Sequence, residues 1–323
     1  MFHSSNDADK FEDAEILERD GWSLEKTGFF KQGIERAVPL YEGKMFNLWD
    51  HQAATVVLSL EALVRQRQSA DTSLAQHQDP YFHVQPFFWV REPHIEEEYR
   101  WRWIVCFKKV TSPTNERTLI TSILPYCATN DSIHLLFPCQ KATAPDFACL
   151  LGNISSFPLD YVGRQKLGGV NFNFFIFQQL PLLPASLYQK PCPWLSQLKT
   201  LQDWLLPRVL ELTYTAWDIA PFAQDCGYNG PPFIWHEDRR FKIRCELDSL
   251  YFHLYGINRD DADYILETFP IVKRKDIAQY GEYRTQNLIL EIYDAMQRAK
   301  ETSKPYQTIL DPPPADPRVA HKT

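Results

Sequence analysis

Tyr99 to Lys109 reads YRWRWIVCFKK, and its alternation decides the fold class. Trp101, Trp103, Val105 and Phe107 recur at period two on one face, with Arg100, Arg102, Ile104 and Lys108 on the other. The spacing predicts a half-buried strand with a basic outer surface. Outward from it, residues 81–185 break into short β-like blocks separated by Pro, Asn and Ser. RTLITSILP (117–125) and SIHLLFP (132–138) predict further strands, each stopped by proline. Residues 147–160 predict a short helix, and RQKLGGVNFNFFIFQQLPLLP (164–184) a Gly-Gly turn feeding an aromatic strand. Upstream, Ala53 to Gln68 predicts a helix.

The last third changes period. Leu198, Leu201, Leu205 and Val209 follow three- and four-residue spacing, with an interruption expected at Pro207. CELDSLYFHLYG (245–256) predicts a helix capped by Gly256, Asn258 caps the next one, and Glu282 to Ala299 predicts a third. The expected class is α+β: a mixed, mostly antiparallel sheet domain over 21–190, then a helical domain over 191–300. Residues 1–20 are expected to be poorly ordered and 301–323 a disordered tail. Lys273, Arg274 and Lys275 are expected in a solvated loop.

Formal net charge is −7, but it is unevenly placed. Residues 1–20 carry seven acids against Lys10 and Arg19, which leaves about −2 on the other 303 residues. A near-neutral body can still present a basic groove. Seven cysteines without a CxxC pair predict neither a disulfide framework nor a zinc ribbon. No apolar run approaches the roughly 20 residues of a membrane span, and the first 15 residues show no signal-peptide pattern. A cytoplasmic protein is expected.

Catalytic patterns are missing. The sequence has no glycine-rich turn after a first strand, no GxxxxGK[ST], no GxSxG and no HExxH. Asn229-Gly230-Pro231-Pro232-Phe233 departs from an Asn-Pro-Pro-Phe base-holding loop because Gly230 separates Asn229 from the prolines. Recognition material remains. Arg100, Arg102, Lys108, Lys109 and Arg117 lie on strand-like segments with Thr114 and Asn115 between them, and Arg164, Gln165 and Lys166 precede Gly168 and Gly169, with Asn171 just beyond. Arg can bond guanine bidentately, Asn can bond adenine, and a Gly-Gly turn lets backbone N–H groups approach a phosphate. Solvation of the same basic side chains is the alternative reading.

VPLYEGKMFNLWDHQAA (38–54) resembles the segment joining the catalytic and specificity regions of large adenine-specific DNA methyltransferases, including fused type II restriction-modification enzymes and the methyltransferases of BREX and DISARM phage-defence systems. Residues 107–125, 150–184, 244–276 and 281–296 are similar to the same proteins in the same order. The resemblance implies a target-recognition domain and a helical C-terminal segment that read double-stranded DNA, while S-adenosylmethionine binds a separate catalytic domain or partner subunit. It marks Thr114 to Thr118 and Arg164, Gln165, Lys166, Gly168 and Gly169 without saying which touch DNA. Bracing of the fold is an equal candidate for Glu116 and Arg117. Gln52 stands where the family shows Arg. The alternatives are a detached part of an active methyltransferase and a structural docking subunit of a defence complex.

Overall fold

The computed structural model describes residues 2–56, 69–137, 141–195 and 199–322. Its strands are β1 (Phe11–Glu12), β2 (Ser23–Leu24), β3 (Phe30–Gln32), β4 (Glu35–Tyr41), β5 (Ala54–Val56), β6 (Ser69–Asp71), β7 (Trp89–Arg91), β8 (Trp103–Lys108), β9 (Thr121–Pro125), β10 (Ala128–Thr129) and β11 (Ile133–Leu136). One sheet runs β1-β7-β4-β3-β2, with β10 pairing parallel to β4. A second is antiparallel in the order β11-β8-β9, and β5 pairs with β6. The expected helix over 53–68 begins instead as β5, and residues 57–68 lie outside the described ones.

Helices follow: α1 (Ala14–Arg19), α2 (Leu74–His77), α3 (Ala144–Ile154), α4 (Phe157–Lys166), α5 (Phe174–Phe177), α6 (Ala185–Tyr188), α7 (Leu201–Thr213), α8 (Ala220–Asp225), α9 (Glu237–Leu254), α10 (Arg259–Glu267), α11 (Pro270–Tyr280) and α12 (Arg284–Thr302). The class is α+β, with the sheets N-terminal and the helical region C-terminal. Local chemistry sets the helix ends. Thr143 and Thr200 form capping boxes with Asp146 and Asp203, and Asn258 accepts from the Asp261 N–H. Gly281 closes α11 in the left-handed region at φ 78°, where a side chain would be strained.

β8 is the strand on which the two regions meet. Val105 and Phe107 pack into a large cluster that continues through α3, α4, α7, α9 and α12, while Ile104 and Cys106 pack into a smaller one with Tyr41, Phe46 and Leu124. The alternation therefore separates two cores, and the expected basic outer face is corrected: that face is apolar. The large cluster crosses residue 190 without a gap. The aromatic run after Gly169 is likewise a helical turn, α5. Stacking of Phe177 on Phe107 at 4.8 Å places it against the core and overrides its β propensity.

Both ends are packed. Phe2 is buried, its N–H donates to the Thr129 carbonyl at 2.9 Å, and Leu17 is fully buried, so the N-terminus is not the loose segment expected. The tail is corrected more sharply. Glu246, fully buried on α9, accepts from Arg208 Nε (2.8 Å), Tyr306 Oη (2.8 Å) and Thr308 Oγ1 (2.6 Å). Arg239 pairs with Glu211 and donates to the carbonyls of Pro312 (2.7 Å) and Pro313 (3.1 Å). The proline run offers unpaired carbonyls that a buried guanidinium can use. Pro207 lies inside α7 without ending it; the carbonyl it leaves without a donor belongs to Asp203, an exposed residue that water can serve. Among the described residues no helix is long and apolar enough to cross a membrane.

Candidate nucleic-acid interface

Asp160, on α4 and wholly buried, builds the site. It accepts from the N–H groups of Thr118 (3.0 Å) and Leu119 (3.0 Å) and from Arg117 Nε (2.6 Å). Arg117 also donates to the Ser155 carbonyl (2.6 Å), and its guanidinium lies 4.1 Å from the Phe157 ring centroid. Residues 117–119 are thus fixed to the start of α4, which fixes the preceding loop as well.

Arg164, in the last turn of α4, closes the same loop from the other side. It donates to the carbonyls of Asn115 (2.9 Å), Glu116 (3.2 Å) and Thr268 (3.2 Å) and to Thr118 Oγ1 (3.1 Å), over the Phe269 ring at 4.1 Å. Burial lowers the Arg164 pKa from its ordinary value, partly offset by Asp160. The segment after α4 then returns alongside. Thr111 N–H donates to the Val170 carbonyl (2.9 Å), and Phe172 N–H to that of Lys109 (2.7 Å). Residues 109–118 and 164–172 form one surface, although the sequence separates them by β9, β10, β11, α3 and the start of α4.

The candidates fall into four groups. Lys109, Thr114, Asn115, Gln165, Lys166, Gly169 and Asn171 are gathered on this surface. Thr114, Asn115, Gln165, Lys166, Gly169 and Asn171 are exposed; Lys109 is half-buried, 3.8 Å from Asp131. No atom lies within 4 Å of a Cβ built at Gly168 or Gly169, so the turn is open to an incoming group. Val110 and Val170 are exposed between the polar side chains. Arg117 and Arg164 sit behind this surface, Arg117 bonding Asp160 and the Ser155 carbonyl through Nε and Nη2 and Arg164 using all three of its nitrogens on the protein. Lys108 turns inward over the Phe46 ring (5.4 Å), where burial brings its pKa down to about 8. Arg100 and Arg102 are elsewhere: Arg100 donates to the carbonyls of Ile95 and Glu92 (3.1 Å each), and Arg102 pairs with Asp225 at 3.2 Å.

Lys273, Arg274 and Lys275 are corrected from loop to helix, since Pro270 starts α11 at a position where its missing N–H costs nothing. Lys275 pairs with Glu116 and Lys273 with Glu267, which brings this second cationic run to the edge of the loop surface. Sequence reasoning missed Asp160, an ordinary helix residue until the fold places it under the loop.

The segment 38–54 is structural. His77 bonds Asp50 (3.1 Å) and stacks on Trp235 at 4.0 Å, and His51 bonds Asp218 (2.9 Å). Gln52 is buried, donating to the Phe82 carbonyl (2.5 Å) and to Asp218 (3.4 Å). Gln52 therefore faces the interior. Asn229 to Phe233 is stitched to the tail, with Ile234 N–H on the Val319 carbonyl and His321 N–H on that of Pro232, both at 2.8 Å. Compared with protein-family models, curated proteins and solved structures, the chain matches none.

Proposed function

We propose that the chain is the DNA sequence-recognition part of an adenine-specific DNA methyltransferase of a restriction-modification or phage-defence system, acting in the cytoplasm beside a partner that carries methyl transfer. One observation carries the reading. The two blocks that resemble the specificity regions of those enzymes, 107–125 and 150–184, converge on a single face presenting Asn, Gln, Lys and an open Gly-Gly turn. These groups suit base edges and phosphates.

The surroundings of Gly43 support an S-adenosylmethionine site elsewhere. Gly43 follows β4, which pairs in parallel with β10, but its Cβ direction meets Ser132 at 3.2 Å. The close approach that a cofactor turn reserves for its ligand is already filled by protein. The cofactor belongs on the partner in this reading.

Fluorescence anisotropy of the purified chain against duplex DNA, with and without a methyltransferase partner, tests the proposal. Lys109→Glu and Lys166→Glu are expected to weaken binding, each reducing the slope of log affinity against log salt by about 1. No affinity for duplex DNA in either condition, or slopes unmoved by both variants, would overturn it.

A further inference from the structure

A cavity of about 840 Å³, sharing no residue with the loop surface, lies between the β2–β3 turn, the Tyr81–Val84 segment and the start of α8. Its size falls within the roughly 300–1,000 Å³ of small-molecule sites. The walls are aromatic. Tyr81 and Trp217 lie with ring centroids 6.3 Å apart and planes tilted by 32°, while Phe29 and Tyr126 meet edge to face at 6.2 Å.

The charge on the lining is selective. Lys26, Arg36, Arg100 and Arg102 reach it, against Glu92 and Asp218. Both carboxylates are matched within the protein: Arg36 grips Glu92 at 2.6 and 3.1 Å, and Asp218 is bonded by His51 and lies 3.6 Å from His83. Lys26 is exposed and has no ion pair among the described residues, and Arg102, though paired with Asp225 at 3.2 Å, keeps a side chain 60% exposed that can also reach an incoming anion. The opening is therefore cationic over an aromatic interior.

We propose that this cavity binds one nucleotide unit, its base stacked against Tyr81 and Trp217 and its phosphate held by Lys26 and Arg102. Aromatic faces accept any base because every base has a π-face, and a cationic rim neutralises the phosphate. The unit could come from a free nucleotide or from a base turned out of a DNA strand. The inference goes beyond the DNA-recognition reading and does not depend on it, since the free nucleotide alone would satisfy it.

Calorimetric titration of the full chain with AMP, CMP, adenosine and S-adenosylmethionine tests the site, alongside duplexes carrying one unpaired 2-aminopurine. Saturable AMP or CMP binding identifies a free-nucleotide site; 2-aminopurine quenching that AMP competes away identifies a strand-derived base. In either case Lys26→Glu should weaken binding about tenfold, and Tyr81→Ala by roughly fivefold or more. Tyr81 is 65% exposed, so its variant keeps the test valid if Trp217→Ala fails to fold. No saturation by either source overturns the proposal. So does adenosine or S-adenosylmethionine binding as tightly as AMP, or binding indifferent to both variants. Loss of nucleotide binding with the duplex salt slope intact would separate failure here from failure of the recognition reading.

Discussion

Removing the Arg117 side chain separates a reader of DNA from a brace of the fold. In the structure its guanidinium satisfies Asp160, which has no solvent exposure, and covers the Phe157 ring. Arg117→Ala leaves a buried carboxylate short of its charge partner, a loss of about 3–5 kcal/mol in comparable sites. The N–H groups of Thr118 and Leu119 still serve Asp160, which favours the lower end, about 3 kcal/mol. An exposed arginine used only for DNA would cost less than about 0.5 kcal/mol. Urea unfolding followed by tryptophan fluorescence resolves this difference, since 3 kcal/mol against a slope near 3 kcal/mol per molar moves the midpoint by about 1 M. The double variant Arg117→Ala, Asp160→Ala should be less unstable than the two single losses combined, because the stranded charge is gone. An Arg117→Ala protein that unfolds at the wild-type midpoint while losing duplex affinity would refute the bracing argument and return Arg117 to the contact surface.

Three other perturbations follow from buried charges. Glu246→Gln should cost about 3 kcal/mol, because Arg208 keeps its charge while its carboxylate partner disappears; the tail from 303 should become cleavable in limited proteolysis, and a tail as resistant as wild type would count against the latch. Burial opposes charge on His83, but the Asp218 carboxylate overrides it and raises the pKa above its ordinary value. That stabilisation is complete below the unfolded value near 6.5 and is lost as pH rises through the folded one; the urea midpoint of wild type over His83→Gln should therefore be largest near pH 5.5 and shrink by pH 8. Lys108 titrates near 8 in the fold against about 10.5 unfolded, so the native state sheds its proton first and stability rises with pH between these values. Lys108→Met should add on the order of 2–3 kcal/mol at pH 7 and flatten that rise, and a less stable variant would show that its ammonium is needed.

How much the residues disclosed depended on the distance to the deciding partner. β8, β9 and β11 were legible because side-chain alternation and the prolines after them are local, and the caps at Asn258 and Gly256 are local too. What failed had a remote partner. DPPPADP has the composition of disorder, yet its carbonyls are donor-satisfied by Arg239, 73 residues away from Pro312. The sheet face bearing Ile104 and Cys106 read as outward because the sequence shows alternation but not how many layers will cover it. Charges were the least legible. Arg117 and Lys166 look alike in sequence, each a cation near a loop, but Asp160 lies 43 residues from Arg117 and claims it, while Lys166 has, among the described residues, only Gln179 Oε1 at 3.5 Å. The aromatic cavity is assembled from at least four separated segments, none with a motif, so no reading of one stretch could have found it. The same logic bears on Gln52. An arginine there would place a permanent positive charge against Asp218, which already bonds His51 and lies 3.6 Å from His83. Gln52→Arg should therefore lower the His83 pKa, readable by proton NMR titration; an unchanged His83 would mean that the larger side chain leaves the buried network altogether.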